Sequence, residues 1–166
     1  MQASFEDKNT PESEAREEEF KQYYEKAYPY VELMHNGRFH ELDFTAVDTS
    51  WVEEKNKENN KVECYIELKG QKTRPQRVQA FNQGKFTKMQ QLWDYQKITS
   101  KVYFRYFEQD EPGIYWLWEP YTGRGWKKAF QGHWMQGNGI IYFPLEDLEQ
   151  VNFNTLIEQQ ERLYGI

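Results

Sequence analysis

One cysteine, Cys64, is all the chain has, so no disulfide can form within it. Without a second Cys or a His beside it, this thiol is a poor zinc ligand or nucleophile, and its expected role is that of a small buried residue. The chain also lacks a Cys/His metal cluster, a Gly-rich phosphate loop and a nucleophile elbow, which argues against zinc modules, P-loop enzymes and serine hydrolases. No run of about 18 apolar residues occurs, so no membrane partner is expected. Met1 to Asp7 has neither the basic flank nor the apolar centre of a secretory signal. These absences lead to the expectation of a soluble, intracellular, cytoplasmic protein.

What is abundant is aromatic: six Trp, twelve Tyr and eleven Phe, too many rings for a disordered chain. At 166 residues one globular domain is expected, 14–166, preceded by a flexible acidic arm, 1–13, with no apolar period. The net charge of −6 conceals a segregation, because residues 69–128 carry twelve basic and five acidic side chains, a local +7. A basic third directly after an acidic one suits carboxylates that hold cations beside Lys and Arg that meet phosphates.

Phe20, Tyr23, Tyr24 and Ala27 follow helical spacing, so a helix is expected over 14–27, ended by Pro29. Val31 to His35 and Arg38 to Val47 flank Asn36-Gly37, which predicts a tight hairpin. Val62 to Lys69 adds a third antiparallel strand. A basic connection, 71–85, leads to a helix over Phe86 to Lys97, then to aromatic strands at Val102 to Phe107 and Ile114 to Trp118 around Pro112-Gly113. A further hairpin bounded by Gly123, Gly125, Gly137 and Gly139 comes next, with Gly139 to Phe143 as its apolar end, and a last helix covers Asn154 to Tyr164. The fold class read from this order is α/β, or mixed α+β: a mixed central sheet flanked by helices.

Side chains alternate along a strand, so Cys64, Ile66 and Leu68 share the apolar face while Glu67 and Lys69 share the other. Arg38 to Val47 divides likewise, with Leu42, Phe44 and Ala46 apolar and Glu41, Asp43 and Thr45 polar. If the two strands are neighbours, Asp43 and Glu67 can converge on one hard divalent ion, which takes oxygen ligands at about 2.0–2.1 Å when it is Mg²⁺.

The arrangement Glu41-Leu-Asp43-Phe44, a loop, then Tyr65-Ile-Glu67-Leu-Lys69-Gly70 resembles the core of the PD-(D/E)xK nucleases over residues 14–107. That superfamily holds restriction enzymes, Holliday-junction resolvases, recombination exonucleases and cap-snatching endonucleases. The resemblance implies a restriction-endonuclease-like αβββαβ core, Mg or Mn as cofactor, and hydrolysis of nucleic-acid phosphodiesters. It implies Asp43 and Glu67 as metal ligands and Lys69 as the catalytic lysine. No Pro precedes Asp43, where the pattern has one. Gln91-Leu-Trp-Asp-Tyr95 looks like the QxxxY motif of the recombination-exonuclease branch. On a helix Gln91 and Tyr95 share a side with Lys88, a stripe able to grip phosphates or stack a base.

Lesser candidates complete the reading. Some relatives add a glutamate from the first helix, for which Glu17 lies nearest the apolar face, with Glu18 and Glu19 close rivals. Cap-snatching relatives use a histidine, which points to His40 although its parity opposes Asp43. Glu41 lies beside Asp43, and Asp48 replaces Asp43 if a bulge shifts the strand's parity. Trp126 and Lys127, in Arg124-Gly-Trp-Lys-Lys128, combine a ring to stack on with charge for phosphates. The partner is nucleic acid, DNA in preference to RNA, with a homodimer left open. The alternative is a non-catalytic nucleic-acid-binding or protein-binding module on a nuclease-like fold.

Overall fold

Thr10 caps the first helix, α1 (Pro11–Ala27): its hydroxyl accepts the backbone N–H of Ser13 at 3.1 Å, and Pro11 stands at the first helical position, where no N–H is needed. The helix therefore begins at Pro11 rather than at Glu14, and its buried stripe is Phe20, Tyr24 and Ala27. The protein is described by a computed structural model over residues 10–37, 42–50, 61–123, 125–127, 130–131 and 139–165.

Three antiparallel strands come after it, β1 (Val31–His35), β2 (Phe44–Asp48) and β3 (Lys61–Gln71). After β4 (Val78–Asn82), helix α2 (Gln83–Gln96) carries the chain back so that β5 (Thr99–Tyr106) lies parallel to β3. β6 (Ile114–Trp118) returns antiparallel to β5. The short β7 (Phe130–Gln131) and β8 (Ile140–Pro144) come next, then β9 (Glu149–Asn152) and the closing helix α3 (Phe153–Tyr164). The main sheet is mixed and six-stranded in the order β1-β2-β3-β5-β6-β9, and a second sheet has the order β4-β8-β7.

Alternation of side chains gives the main sheet two buried faces. On one, Phe20 and Tyr24 of α1 and Phe153 of α3 pack on Leu33, Phe44, Cys64, Ile66, Tyr103 and Tyr115. On the other, Met89 and Leu92 of α2, with Phe81 and Phe143 of the small sheet, cover Tyr65, Val102, Phe104 and Trp118. Trp118 lies flat on Phe143, ring centroids 4.0 Å apart. No helix among the described residues is long and apolar enough to cross a membrane.

Three expectations need correction. Asn36-Gly37 is not a tight hairpin turn: β1 pairs with β2 with His35 opposite Phe44, so residues 36–43 form the connection, and Gly37 is absent from the positive-φ glycines. A two-residue turn there would set Leu33 against His40. The observed register instead sets it against Ala46, in the core beneath α1, and burial decides the pairing. Asn36 is used otherwise, its side chain donating to the Leu42 carbonyl at 2.9 Å and accepting the Thr45 hydroxyl at 2.5 Å. Second, the connection 71–85 contains β4, which pairs with β8. Third, Leu42 packs in the α2-side core, not with Phe44 and Ala46.

Candidate functional site

The β2–β3 ladder ends at Phe44 opposite Ile66, and continuing that register by one residue, past the end of β2, would set Asp43 against Glu67. Facing residues of an antiparallel pair lie about 4.5–5.5 Å apart at Cα. Past Ile66 β3 runs on to Gln71, paired among the described residues with β5 along one edge. On the other edge the Leu68 N–H would lack a partner, and Asp43 supplies one: its Oδ2 accepts that N–H at 2.9 Å. The Asp43 carbonyl in turn accepts the Asn36 N–H at 2.9 Å. The half-buried Asp43 carboxylate is thus fixed in the fork where the strands part, one peptide from Glu67.

Glu67 lies on the face of β3 that α2 covers, and it is only 1% exposed. Its Oε2 accepts a hydrogen bond from the ammonium of Lys85, on the first turn of α2, while Oε1 is buried with no hydrogen-bond partner among the described residues. A carboxylate taken out of water requires a cation or several donors. Here one oxygen has the cation and the other is uncompensated. Lys69, which shares the parity of Glu67, is exposed, and the base beside Glu67 is Lys85.

Residue-pattern reasoning missed Lys85, although a signal exists. It sits near the positive end of the α2 dipole, in a first turn without an acidic residue, where a cation is unfavourable unless something compensates it. The cap fixes its backbone, since Asn82 Oδ1 accepts the Lys85 N–H at 3.0 Å. Also missed was a buried relay farther along this face: Gln79, 1% exposed, donates to Gln71 Oε1 at 2.9 Å and accepts the Tyr106 hydroxyl at 2.7 Å.

The other candidates scatter. Gln91 and Tyr95 are exposed on α2, with Lys88 half-buried and Met89 turned into the core. Trp126 packs against Phe86 and Tyr121, centroids 5.7 and 5.2 Å away, and the Lys127 N–H donates to the Pro120 carbonyl at 2.8 Å. Glu17 is half-buried on α1, across the sheet from Lys85, and its neighbour Glu18 lies 3.9 Å from His35. A bulge does interrupt β2 at Ala46/Val47, yet Asp48 stands opposite Lys61, at the other end of the strand from Asp43. The Asp48 carboxylate accepts the Ser50 hydroxyl and N–H at 2.6 and 2.8 Å, which hold its pKa below the usual range. His40, Glu41, Arg124, Lys128 and His133 lie outside the described residues. Burial pushes the Cys64 thiol up to about 11, so it is a core residue and not a nucleophile.

Among the described residues no three His, Cys, Asp or Glu side chains form a metal cluster, so the candidate cation site is the two carboxylates. Two are enough where water and a phosphate oxygen complete the shell. No family model, no curated protein and no solved structure matches the chain.

Proposed function

We propose that the protein is a metal-dependent nuclease that hydrolyses nucleic-acid phosphodiester bonds, with Asp43 and Glu67 sharing one Mg²⁺ or Mn²⁺. The observation that carries this reading is the placement of two carboxylates where β2 leaves β3: Asp43, just before β2, accepts the Leu68 N–H, and Glu67, the residue before Leu68, is buried with Oε1 unpartnered among the described residues. Among the described residues Glu67 Oε1 is an acceptor without a donor, which fits a cation better than it fits a structural role. The order in the main sheet also supports it: α1, three antiparallel strands and, after β4 of the small sheet, α2 and a strand parallel to the third, which apart from β4 is the order expected of an αβββαβ core.

A divalent ion there would neutralise charge on the phosphodiester and acidify a water. The chain's own contribution is placement. Asp43 is locked by the Leu68 N–H, so its carboxylate needs no reorganisation to meet a cation. Glu67 is held from α2 and shielded from bulk water, which strengthens every charge interaction it makes. Lys69, exposed next to both, reaches outward to a phosphate oxygen and stabilises negative charge that develops there. The exposed Gln91 and Tyr95, with Lys88, offer the backbone and bases a polar stripe on α2.

A second reading, a non-catalytic nucleic-acid-binding or protein-binding module, is favoured by Lys85, whose ammonium already balances the single charge of Glu67. Incubating the purified protein with plasmid DNA and with RNA, with Mn²⁺ or with a chelator, separates the two. Cleavage that needs Mn²⁺ and disappears in Glu67→Gln is the result expected of the nuclease. Binding without cleavage under every metal condition selects the module.

A further inference from the structure

Lys85 joins the site from an element that the strand motif does not include. Its side chain is largely buried, 19% exposed against 2% for that of Glu67, and its backbone is pinned by the Asn82 cap. The ammonium and a divalent ion need the same carboxylate. Oε1 offers the ion its first foothold, but a divalent ion on one oxygen and an ammonium on the other would place two cations within a few ångström of each other, and that repulsion favours release of the ammonium from Oε2. Charge balance decides where the ammonium goes. Asp43, Glu67 and one phosphodiester carry three negative charges, and a divalent ion supplies two positive ones, so the loaded site balances only with one more cation inside it. Lys69 is exposed, and water screens its charge. Lys85 is the cation already inside.

We propose that Lys85 is a movable cation of this site: it holds Glu67 in the metal-free protein, yields the carboxylate to the divalent ion, and then contacts the phosphodiester. This inference rests on the metal-dependent reading above and assigns a residue that reading does not require. The four-carbon stem of lysine allows the shift with the helix fixed, since the ammonium can swing from Oε2 while Asn82 keeps the backbone in place.

The test is calorimetric titration of Mn²⁺ into the wild type, Lys85→Met and Lys69→Met, with melting curves for each. Removing a competing charge-assisted hydrogen bond should tighten Mn²⁺ binding in Lys85→Met by about tenfold or more. Metal-free Lys85→Met should melt lower than the wild type and be stabilised more by Mn²⁺. Lys69→Met should change Mn²⁺ affinity much less. In a second arm, oligonucleotide affinity of Lys85→Met should match the wild type in chelator and fall below it with Ca²⁺, because only then is the wild-type ammonium released. Lys85→Arg provides a variant that keeps the charge: its guanidinium grips a carboxylate with two bonds and should weaken Mn²⁺ binding. Mn²⁺ affinity unchanged in Lys85→Met and Lys85→Arg, or raised equally in Lys69→Met, overturns the proposal and leaves the two-carboxylate site standing. A wild type that binds no Mn²⁺ overturns both.

Discussion

Asp43 Oδ2 accepts the backbone N–H of Leu68 at 2.9 Å, so an aspartate side chain takes the place of a strand partner at the point where β2 leaves β3. This bond fixes the carboxylate at the peptide that links Glu67 to Leu68. It also ties the site to the sheet, so that geometry and stability are linked. Replacing Asp43 by Leu should therefore remove metal binding and also lower stability by about 1–3 kcal/mol, the penalty for a half-buried N–H left without an acceptor. Urea unfolding of Asp43→Leu beside Asp43→Asn, which retains an acceptor, measures the structural part.

Glu67→Ala should destabilise the protein by about 3–5 kcal/mol, since it strands the Lys85 ammonium in a largely buried position and opens a cavity. Glu67→Gln keeps the volume and should lose less. The double variant Glu67→Ala/Lys85→Ala should recover part of the loss, and unfolding free energies of the wild type, Glu67→Ala, Lys85→Ala and the double variant give the coupling.

The aromatic core beneath α1 centres on Phe20, fully buried with its ring centroid within 6 Å of those of Tyr24, Phe44, Tyr103, Tyr115 and Phe153. Phe20→Ala should cost about 3–5 kcal/mol, read from the urea midpoint at unchanged slope.

Alkaline stability is tied to Cys64, whose thiol burial pushes from 9.0 up to about 11. The folded state keeps the proton while the unfolded chain releases it, so this contribution is complete below about pH 9 and is lost as pH rises towards 11. Within that window one such group lowers stability by up to about 1.4 kcal/mol per pH unit. Cys64→Ala should flatten the decline most at its onset near pH 9, below the ordinary tyrosine value of 10.0, since the buried Tyr24, Tyr103 and Tyr115, all raised by burial, add their own losses as pH approaches 10. An identical pH slope in Cys64→Ala contradicts the assignment.

In nucleic-acid binding, Lys88→Ala and Lys127→Ala should each weaken affinity for duplex oligonucleotides. The slope of log affinity against log salt should fall by about 0.9 for each phosphate that is no longer neutralised. Fluorescence anisotropy across a salt series checks this, and affinity insensitive to salt rules out the basic third as a footprint.

The sequence made some of this legible because local chemistry agreed with the fold. Cys64, Ile66 and Leu68 alternate with Tyr65 and Glu67, which suffices to divide β3 between the α1 face and the α2 face. Other features were hidden because long-range contacts decided them. Asn36-Gly37 carries a strong turn signal, yet burying Leu33 against Ala46 fixed another register. β4 is disguised by the basic residues before it and exists because β8, some sixty residues later, pairs with it. Lys85 is invisible to strand parity, since only the packing of α2 over β3 brings it to Glu67.

The central claim is that Asp43 and Glu67 share one divalent cation, and titrating Mn²⁺ by calorimetry into the wild type, Asp43→Asn and Glu67→Gln tests it most directly. The account predicts one site in the wild type, a large loss of affinity in both variants, and a wild-type melting temperature that rises with Mn²⁺, because an ion held only by the folded state stabilises it. A wild type that binds no Mn²⁺, or variants that bind it as tightly as the wild type, would contradict the account.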